Sequence, residues 1–328
     1  MNIEFRAPYA QTPLKKFEDP NWTAKGERRA DVALKSLDTL WINTGTLCNI
    51  ECVNCYIESS PTNDRLVYIT ASEVLKLLNE IRSLGLATKE IGITGGEPFM
   101  NPDILSILRA ALERDFKVLV LTNAMQPMQR PRIKTGLLAL NAEFAENLSV
   151  RVSLDHHSKS LHDSERGRET WDRTLAGLNW LAQNAFNLAI AGRSRWDENE
   201  ETSRDGYAAL IDDHGWPINP RDKTQLVLLP EMDGSTEVPE ITTDCWNILN
   251  KSPDEMMCAT SRMVVKRKGA AEPSIVPCTL LPYDTAFNMG PTISQSMAAN
   301  QGMFSDGSVK LCHPHCAKFC VLGGGSCS

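Results

Sequence analysis

The ten cysteines of this 328-residue chain fall into two groups that lie far apart in the sequence. Three of them, Cys48, Cys52 and Cys55, share one short segment, and the other seven all follow residue 244. No cysteine lies between Cys55 and Cys245. Cysteines that only fill a core would be scattered along the chain. The sequence therefore predicts two separate ligand sites.

The composition is that of an ordinary globular chain, with 42% hydrophobic and 23% charged residues and enough core for two domains. A net charge of -7 argues against a nucleic-acid partner, since phosphate binding needs a surplus of lysine and arginine. No apolar run reaches the ~20 residues that cross a membrane, and residues 1–16 lack the apolar core of a secretory signal. We therefore expect a cytoplasmic protein without membrane contact, whose reduced thiols ligate a metal or an iron–sulfur cluster.

Strand patterns alternate with helix patterns along the middle of the chain. The segment Thr70–Glu73 is a capping box, and it opens a helix whose predicted apolar stripe is Val74, Leu77, Leu78, Ile81 and Leu84. Six strand-then-helix units imply a parallel sheet with right-handed crossovers. The predicted fold is α/β, a partial (β/α)6 TIM-like barrel with its chemistry at the C-terminal ends of the strands. The predicted strands are Leu37–Asn43, Ile91–Thr94, Lys117–Leu121, Leu148–Leu154, Asn187–Ala191 and Gln225–Leu229.

The character of the sequence changes after Pro230. Two further strands, Arg262–Arg267 and Ser274–Cys278, are joined by a turn-rich connection and predict a β-hairpin. The tail that follows is polar, cysteine-rich and glycine-rich, and it cannot form a core alone. We expect an N-terminal arm (1–36), a core domain (37–232) and a small cysteine-rich C-terminal domain (233–328).

The spacing Cys48-x3-Cys52-x2-Cys55 places three thiolates on one short loop. Three thiolates hold three corners of a [4Fe–4S] cubane and leave one iron open to a small molecule. A zinc site would need a fourth ligand, and the sequence contains no cysteine or histidine between Cys55 and His156. The loop therefore favours an iron–sulfur cluster, with zinc as the alternative.

Three ordered features of Leu37 to Pro230 resemble the radical S-adenosylmethionine superfamily. They are the cysteine triplet followed by Tyr56, the segment Gly95-Gly96-Glu97-Pro98, and Val152-Ser153-Leu154-Asp155 with Arg166-Gly167 after it. The resemblance implies that a [4Fe–4S] cluster on Cys48, Cys52 and Cys55 cleaves S-adenosylmethionine reductively. The resulting 5′-deoxyadenosyl radical would abstract hydrogen from a peptide or small-molecule substrate. An external one-electron reductant of the flavodoxin or ferredoxin type is also implied.

The same resemblance assigns residues to S-adenosylmethionine. Gly95, Gly96 and Glu97 would hold its ammonium group, Ser153 and Arg166 its carboxylate, and Asn123 and Asp155 its ribose hydroxyls. Two departures from the family pattern accompany these assignments. Asn54 stands where many relatives have an aromatic residue, so Tyr56 would take over stacking near the adenine. His156-His157 stands where many relatives carry glycine. These two histidines would either contact the substrate or transfer protons, or they would be exposed loop residues without a role.

The second group of cysteines resembles the SPASM and twitch accessory domains, in which two cysteines flank a hairpin and bind an auxiliary cluster. Cys258 and Cys278 flank the predicted hairpin, although eight residues separate Gly269 from Cys278 where four are usual. Six cysteines follow Cys245, and one cluster needs four, so we predict a single, twitch-like auxiliary [4Fe–4S] cluster. The preferred ligands are Cys258, Cys278, Cys316 and Cys320, the last two chosen over Cys312 and Cys327.

Two alternatives remain open at this point. A zinc knuckle that uses His313 or His315 would explain the C-terminal cysteines without iron. An iron–sulfur electron carrier or scaffold would explain both groups without radical chemistry, although a carrier has no need of an ammonium-binding turn at Gly95–Pro98.

Overall fold

The computed structural model describes residues 15–195, 198–230 and 237–323. Its strands are β1 (Asp31–Val32), β2 (Thr39–Asn43), β3 (Glu90–Thr94), β4 (Lys117–Thr122), β5 (Leu148–Ser153), β6 (Asn187–Ser194), β7 (Leu226–Pro230), β8 (Ser261–Val265), β9 (Ser274–Val276), β10 (Phe304–Ser305) and β11 (Ser308–Lys310). Its helices are α1 (Ala71–Ser83), α2 (Ile104–Leu112), α3 (Gln126–Gln129), α4 (Pro131–Phe144), α5 (Lys159–Arg166), α6 (Thr170–Gln183), α7 (Glu200–His214), α8 (Cys245–Leu249) and α9 (Ile293–Met297).

Strands β2 to β7 pair in sequence order and are all parallel. Helices lie between successive strands in the chain, so the predicted α/β fold is confirmed. The sheet does not close on itself, because β7 lies at one edge and β9 at the other. The molecule is therefore a partial barrel, and the loops after the strands lie at one end of it.

Local sequence explains why α1 forms where it does. The Thr70 side chain accepts a hydrogen bond from the Glu73 amide, and the Glu73 carboxylate accepts one from the Thr70 amide, as a capping box requires. Four of the five predicted apolar residues are buried against the sheet. The fifth, Leu84, ends the helix and is 43% exposed, so the predicted stripe is one residue too long.

The C-terminal hairpin extends the barrel sheet. Strand β8 pairs in parallel with β2, so that Trp41 faces Met263, and β9 then pairs antiparallel with β8. The N-terminal segment also contacts the C-terminal part of the chain, since β1 pairs with β11 and Arg29 forms a buried ion pair with Glu240 at 2.5 Å. The boundaries at residues 36 and 232 remain predictions.

Alternation along the strands produces two cores. Leu40 and Ile42 of β2 face outward and pack among the residues that contact the helices. Trp41, between them, faces the inside of the barrel and packs with Met263 and the C-terminal region. The C-terminal region thus covers the inner face of the sheet. Within the described residues, no helix combines the length and the apolar character that crossing a membrane requires.

Candidate active site: two groups of thiols in adjoining cavities

The loop that carries the first three cysteines lies directly on the segment that follows β3. The Gly96 amide donates to the Gly45 carbonyl at 2.8 Å, and the Glu97 amide donates to the Leu47 carbonyl at 3.1 Å. Gly95 adopts a φ of +144°, and a Cβ on Gly96 would overlap the Leu47 carbonyl. Only glycine allows this approach of two backbones. The glycine pair therefore positions the cysteine loop.

Cys48, Cys52 and Cys55 all line one cavity at the C-terminal ends of the strands. Burial, followed by the charges of Glu97 and Cys52, raises the pKa of Cys48 to about 12. Burial also raises the pKa of Cys52, although Arg166 opposes it. Thiols in such surroundings need a bound cation to become thiolates, and iron supplies that charge. Three convergent thiols without a carboxylate among them fit the donor set of an iron–sulfur cluster.

Polar contacts hold the tip of the cysteine loop against α5. The Val53 amide donates to the Glu165 carbonyl at 2.8 Å, and the Asn54 side-chain amide donates to the Glu165 carboxylate at 2.8 Å. Arg193 of β6 donates to the Asn54 carbonyl at 3.3 Å. Asn54, which replaces the aromatic residue expected from the resemblance, therefore anchors the loop.

The C-terminal region holds the far end of the same loop. The Tyr283 hydroxyl donates to the Ile57 carbonyl at 2.5 Å, and the Arg65 guanidinium lies 3.6 Å from the centre of the Tyr283 ring. Tyr283 did not emerge from the sequence, because its contact joins positions that are more than 200 residues apart.

Asp155 and Arg166 face the cavity as an ion pair that is joined by one hydrogen bond and a second close N···O contact. The two Arg166–Asp155 contacts are 3.0 and 3.1 Å, and Arg193 approaches the same carboxylate at 3.5 Å. Burial acts to raise the pKa of Asp155, but the two guanidinium groups outweigh it and lower the pKa. Asp155 is therefore anionic and fixes Arg166 beside the cysteines. Sequence reasoning missed Arg193, because the predicted strand ended at Ala191.

Glu97 is turned away from the cavity. Its buried carboxylate accepts hydrogen bonds from the Thr122 hydroxyl at 2.9 Å, from the Asn123 amide at 2.9 Å and from the Phe99 amide at 3.1 Å. Burial raises its pKa to about 7 in spite of these bonds. Gly95 and Gly96 line the cavity, whereas Glu97 is not among the described residues that line it. Through these hydrogen bonds Glu97 links the segment after β3 to the end of β4. The predicted contact of Glu97 with the ammonium group of S-adenosylmethionine remains a prediction.

The remaining predicted contacts with S-adenosylmethionine, Tyr56, Asn123 and Ser153, line the same cavity. The Asn123 side chain donates to Asn49 of the cysteine loop at 2.9 Å and accepts from the Met125 amide at 3.0 Å. Their roles toward a ligand remain predictions, but the structure brings all three to the mouth of the barrel.

His156 and His157 form a closed hydrogen-bonded group with Glu198. His156 Nε2 lies 3.2 Å from Glu198 Oε2, and His157 Nε2 lies 3.2 Å from Glu198 Oε1. One nitrogen or oxygen atom from each of the three side chains lies within 4.8 Å of the other two. The Ser158 amide donates to His156 Nδ1 at 2.9 Å, so His156 carries its proton on Nε2 and donates it to Glu198. In this tautomer neither ring nitrogen of His156 has a free lone pair for a metal ion. The His156–His157–Glu198 group instead links the loop after β5 to the start of α7.

A second cavity is lined by the four cysteines chosen from the sequence, Cys258, Cys278, Cys316 and Cys320. They come from three segments: the approach to β8, the end of β9, and a π-helical turn at Cys316–Leu322. Burial raises the pKa of Cys278, and the charges of the other three raise it further. Three buried thiols and the half-buried thiol of Cys320 line one space, and four thiols are the donor set that a closed cubane requires.

The other C-terminal cysteines have different neighbours. The Cys312 thiol donates to the Asp19 carbonyl at 3.3 Å, and Cys245 accepts from the Thr242 amide at 3.4 Å. Cys327 lies outside the described residues. His315 also lines the second cavity, with Nδ1 at 3.2 Å from the Leu280 carbonyl. The assignment of the four ligands, and the zinc alternative with His315, remain predictions.

The two cavities share a wall. Met257, Leu280 and Cys320 line both of them, so the second group of thiols adjoins the space in front of the first. This arrangement follows from the pairing of β8 with β2, which brings the C-terminal region onto the inner face of the barrel.

Comparison with known proteins agrees with this geometry. Residues 42–193 match the radical SAM superfamily. This segment, somewhat less than half of the chain, is a radical SAM domain. The family, the [4Fe–4S] cluster and the S-adenosylmethionine predicted from the sequence are thereby confirmed. The C-terminal group of thiols lies beyond the matched residues.

Among curated relatives, the antilisterial bacteriocin subtilosin biosynthesis protein AlbA of Bacillus subtilis is 34% identical over 145 residues, which are 44% of this chain and 30% of AlbA. The AdoMet-dependent heme synthase of Methanosarcina barkeri is 29% identical over 147 residues, which are 44% of this chain and 38% of that enzyme. The chain thus spans less than half the length of these relatives.

Among solved structures, Streptococcus suis SuiB bound to S-adenosylmethionine superimposes with a TM-score of 0.58 at 15% identity, over 82% of this chain and 67% of SuiB. The structure entitled native anSMEcpe with bound AdoMet gives a TM-score of 0.57 at 13% identity, over 80% of each chain. These two likenesses show a fold that is shared over about four-fifths of this chain.

Proposed function

We propose that this protein is a radical S-adenosylmethionine enzyme that modifies a peptide with the help of one auxiliary cluster. The observation that carries the proposal is the composition of the first cavity. Three convergent thiols and a fixed guanidinium–carboxylate pair line one space at the strand ends. That set matches a site-differentiated cluster and an amino-acid ligand beside it.

When bound, the [4Fe–4S] cluster supplies the electron that splits S-adenosylmethionine into methionine and a 5′-deoxyadenosyl radical. Cys48, Cys52 and Cys55 hold it on three sides. Arg166, oriented by Asp155, receives the carboxylate of the ligand, because a guanidinium fork pairs best with a carboxylate. The backbone at Gly95 and Gly96 leaves room for the ammonium group. Apolar residues of the inner sheet and the C-terminal region keep water from the radical.

The second group of thiols is proposed to hold an auxiliary [4Fe–4S] cluster on Cys258, Cys278, Cys316 and Cys320. Four protein ligands close such a cluster, so it serves as an electron acceptor or donor rather than a site of cleavage. The shared wall at Met257, Leu280 and Cys320 supports electron transfer from a substrate radical in the first cavity. The proposed cluster would accept one electron from the substrate radical that remains after hydrogen abstraction, and release of a proton would complete a two-electron oxidation of the substrate.

Two relatives support a peptide as the substrate. The solved SuiB structures include one bound to its precursor peptide SuiA, and AlbA acts in the biosynthesis of the bacteriocin subtilosin. A flavodoxin or ferredoxin would supply the first electron. An electron carrier without radical chemistry is the weaker candidate, since it has no use for the cavity and the ion pair beside the open cysteine loop.

The test is anaerobic reconstitution with iron and sulfide, followed by incubation with dithionite and S-adenosylmethionine. We expect 5′-deoxyadenosine from the wild type and none from Cys55→Ala. Cys245→Ala is the matched control, because Cys245 lines neither cavity and should keep full activity. Iron-loaded wild type that forms no 5′-deoxyadenosine, even with candidate peptides present, would contradict the proposal. Transfer of deuterium from a labelled precursor peptide to 5′-deoxyadenosine would establish the substrate class.

A further inference from the structure

Arg262 of β8 is a buried cation next to the second group of thiols. Its side chain has no exposed surface. One terminal nitrogen donates to the Cys258 carbonyl at 2.6 Å and to the Ser261 carbonyl at 2.8 Å, and the other donates to the Gly307 carbonyl at 2.9 Å. Three carbonyls on different segments therefore fix the guanidinium in one orientation.

Arg262 differs from Arg29 and Arg166 in its counter-charge. Arg29 pairs with Glu240 and Arg166 pairs with Asp155, both through carboxylates. Within the described ranges, Arg262 forms no ion pair with a carboxylate, and its Nε has no hydrogen-bond acceptor. An isolated buried charge is strongly unfavourable, so a counter-charge is expected nearby.

Two thiols of the proposed auxiliary site, those of Cys258 and Cys278, act electrostatically on Arg262, and Arg262 is hydrogen-bonded to the backbone of Cys258. Burial lowers the pKa of Arg262 to about 10, and the charges of Cys258 and Cys278 act against that shift. The guanidinium therefore stays protonated at neutral pH. Both cysteines line the second cavity, where four thiolates and a [4Fe–4S] core would carry a net negative charge.

We propose that Arg262 is the counter-charge of the auxiliary cluster and sets its reduction potential. The inference rests on the proposed auxiliary cluster and adds a residue that tunes it. Reduction adds one electron to an already anionic site. A fixed cation favours the reduced form over the oxidised form, and therefore raises the potential. The cluster would then accept an electron from a substrate radical more readily.

A purely structural role for Arg262, as a hub for three carbonyls, makes a different prediction. It would change folding or iron retention without changing the potential of a cluster that has formed. Glutamine can replace some of the hydrogen bonds without the charge, and lysine keeps the charge without the fork. The two substitutions therefore separate charge from structure.

The experiment uses the full chain with Cys48, Cys52 and Cys55 all replaced by alanine, so that only the auxiliary site can hold iron. Iron per chain is counted, and the cluster is titrated with dithionite while its EPR signal is followed. Arg262→Gln and Arg262→Lys are compared with this parent. Arg267→Gln is the matched control, because Arg267 also donates to a carbonyl but has Asp284 as its charged neighbour.

We expect Arg262→Gln to keep about four irons and to be about tenfold less reduced at a given potential, which is a downward shift of about 59 mV for one electron. Arg262→Lys should shift less, and Arg267→Gln should match the parent. Four irons at the parent potential in Arg262→Gln would overturn the inference. If the glutamine variant loses iron, a lysine variant that keeps iron near the parent potential supports it. Iron loss in both variants shows a structural hub and overturns it.

The proposed function fails in a distinguishable way. If the parent holds zinc or no metal at the C-terminal site, the auxiliary cluster is absent, and the inference about Arg262 falls with it. If the parent binds iron and the Arg262 variants keep its reduction potential, only the inference about Arg262 fails, and the auxiliary cluster stands.

Discussion

The two thiol sites differ in how the chain builds them. The first takes three cysteines from one short loop, and that loop is held by backbone contacts with the glycines after β3. The second takes four cysteines from three segments that meet only when the C-terminal region packs on the sheet. A site built from one loop can leave a corner open, whereas a site built from four convergent thiols is closed.

The residues that surround the two thiol sites also differ. The first cavity has a mainly apolar lining that is interrupted by charged walls, where Asp155, Arg166 and Arg193 lie beside half-buried Cys52 and Cys55. The second is small and lined mainly by apolar side chains such as Leu281, Val309 and Leu311. Polar walls suit the binding of a charged ligand, and apolar walls suit a cluster that only exchanges electrons. We therefore expect openness, rather than the number of cysteines, to separate a site that binds S-adenosylmethionine from a site that only exchanges electrons.

The largest expected effect separates the two sites directly. Cys52→Ala should lower 5′-deoxyadenosine formation at least about 100-fold, because the open cluster is lost. Cys278→Ala should leave that rate within about threefold, although both variants should fall from about eight irons to about four. Iron analysis and product chromatography provide the measurements. Equal loss of cleavage in both variants would end the distinction between an open and a closed site.

The backbone contact under the first site can be tested by adding one methyl group. Gly96→Ala places a Cβ against the Leu47 carbonyl, and we expect the free energy of unfolding to fall by about 2–4 kcal/mol. Gly85→Ala is the control, because its φ of +64° is strained but nothing lies within 4 Å of the added atom. It should cost only about 1 kcal/mol. Urea unfolding measures both, and equal costs would show that the loop adapts.

The ion pair in the first cavity should govern ligand affinity. Arg166→Lys keeps the charge but loses the planar guanidinium that contacts Asp155, so the Kd for S-adenosylmethionine should rise about tenfold, or about 1.4 kcal/mol. Arg173→Lys, an exposed i,i+4 partner of Glu169, should bind as the wild type does. Calorimetry on reconstituted protein checks this, and an unchanged Kd for Arg166→Lys would remove Arg166 from the ligand contact.

Acid should destabilise the protein through a histidine behind the first site. His162 is fully buried, its ring nitrogens have no hydrogen-bond partner among the described residues, and burial followed by Arg166 lowers its pKa to about 4. Between pH 6.5 and 4 the unfolded chain gains a proton that the folded chain does not accept. Stability should therefore fall as the pH decreases through this window, by about 1–3 kcal/mol from this residue.

His162→Phe removes the titration and should flatten the dependence of the unfolding free energy on pH between 6.5 and 4. Urea unfolding at several pH values decides the point. A slope as steep in His162→Phe as in the wild type would assign the acid sensitivity to other groups.

Much of this architecture could be predicted from local patterns. Strand and helix periodicity and the capping box at Thr70 act within a few residues, and both agree with the structure. The first three cysteines line one cavity, and their role as cluster ligands stays a prediction. The choice of Cys316 and Cys320 over Cys312 also agrees with the cavity that the structure forms. These features depend on short-range geometry that sequence spacing records.

What could not be predicted depends on contacts between distant parts of the chain. The pairing of β8 with β2, the Tyr283 contact with Ile57 and the packing of Arg262 on Gly307 leave no periodic signal. Glu97 is a different case, because a carboxylate in a ligand-binding motif was expected to face the ligand. The donors at Thr122 and Asn123, from the next strand, turn it inward instead.

The most direct test of the difference between the two sites is EPR of two reduced, reconstituted variants with and without S-adenosylmethionine. One variant lacks the first site (Cys48, Cys52 and Cys55 to alanine), and the other lacks the second (Cys258 and Cys278 to alanine). We expect S-adenosylmethionine to change the EPR signal of the variant that keeps the open three-thiol site. The EPR signal of the variant that keeps only the four-thiol site should stay unchanged. A change in the signal of the four-thiol site, or no change in either, would contradict it.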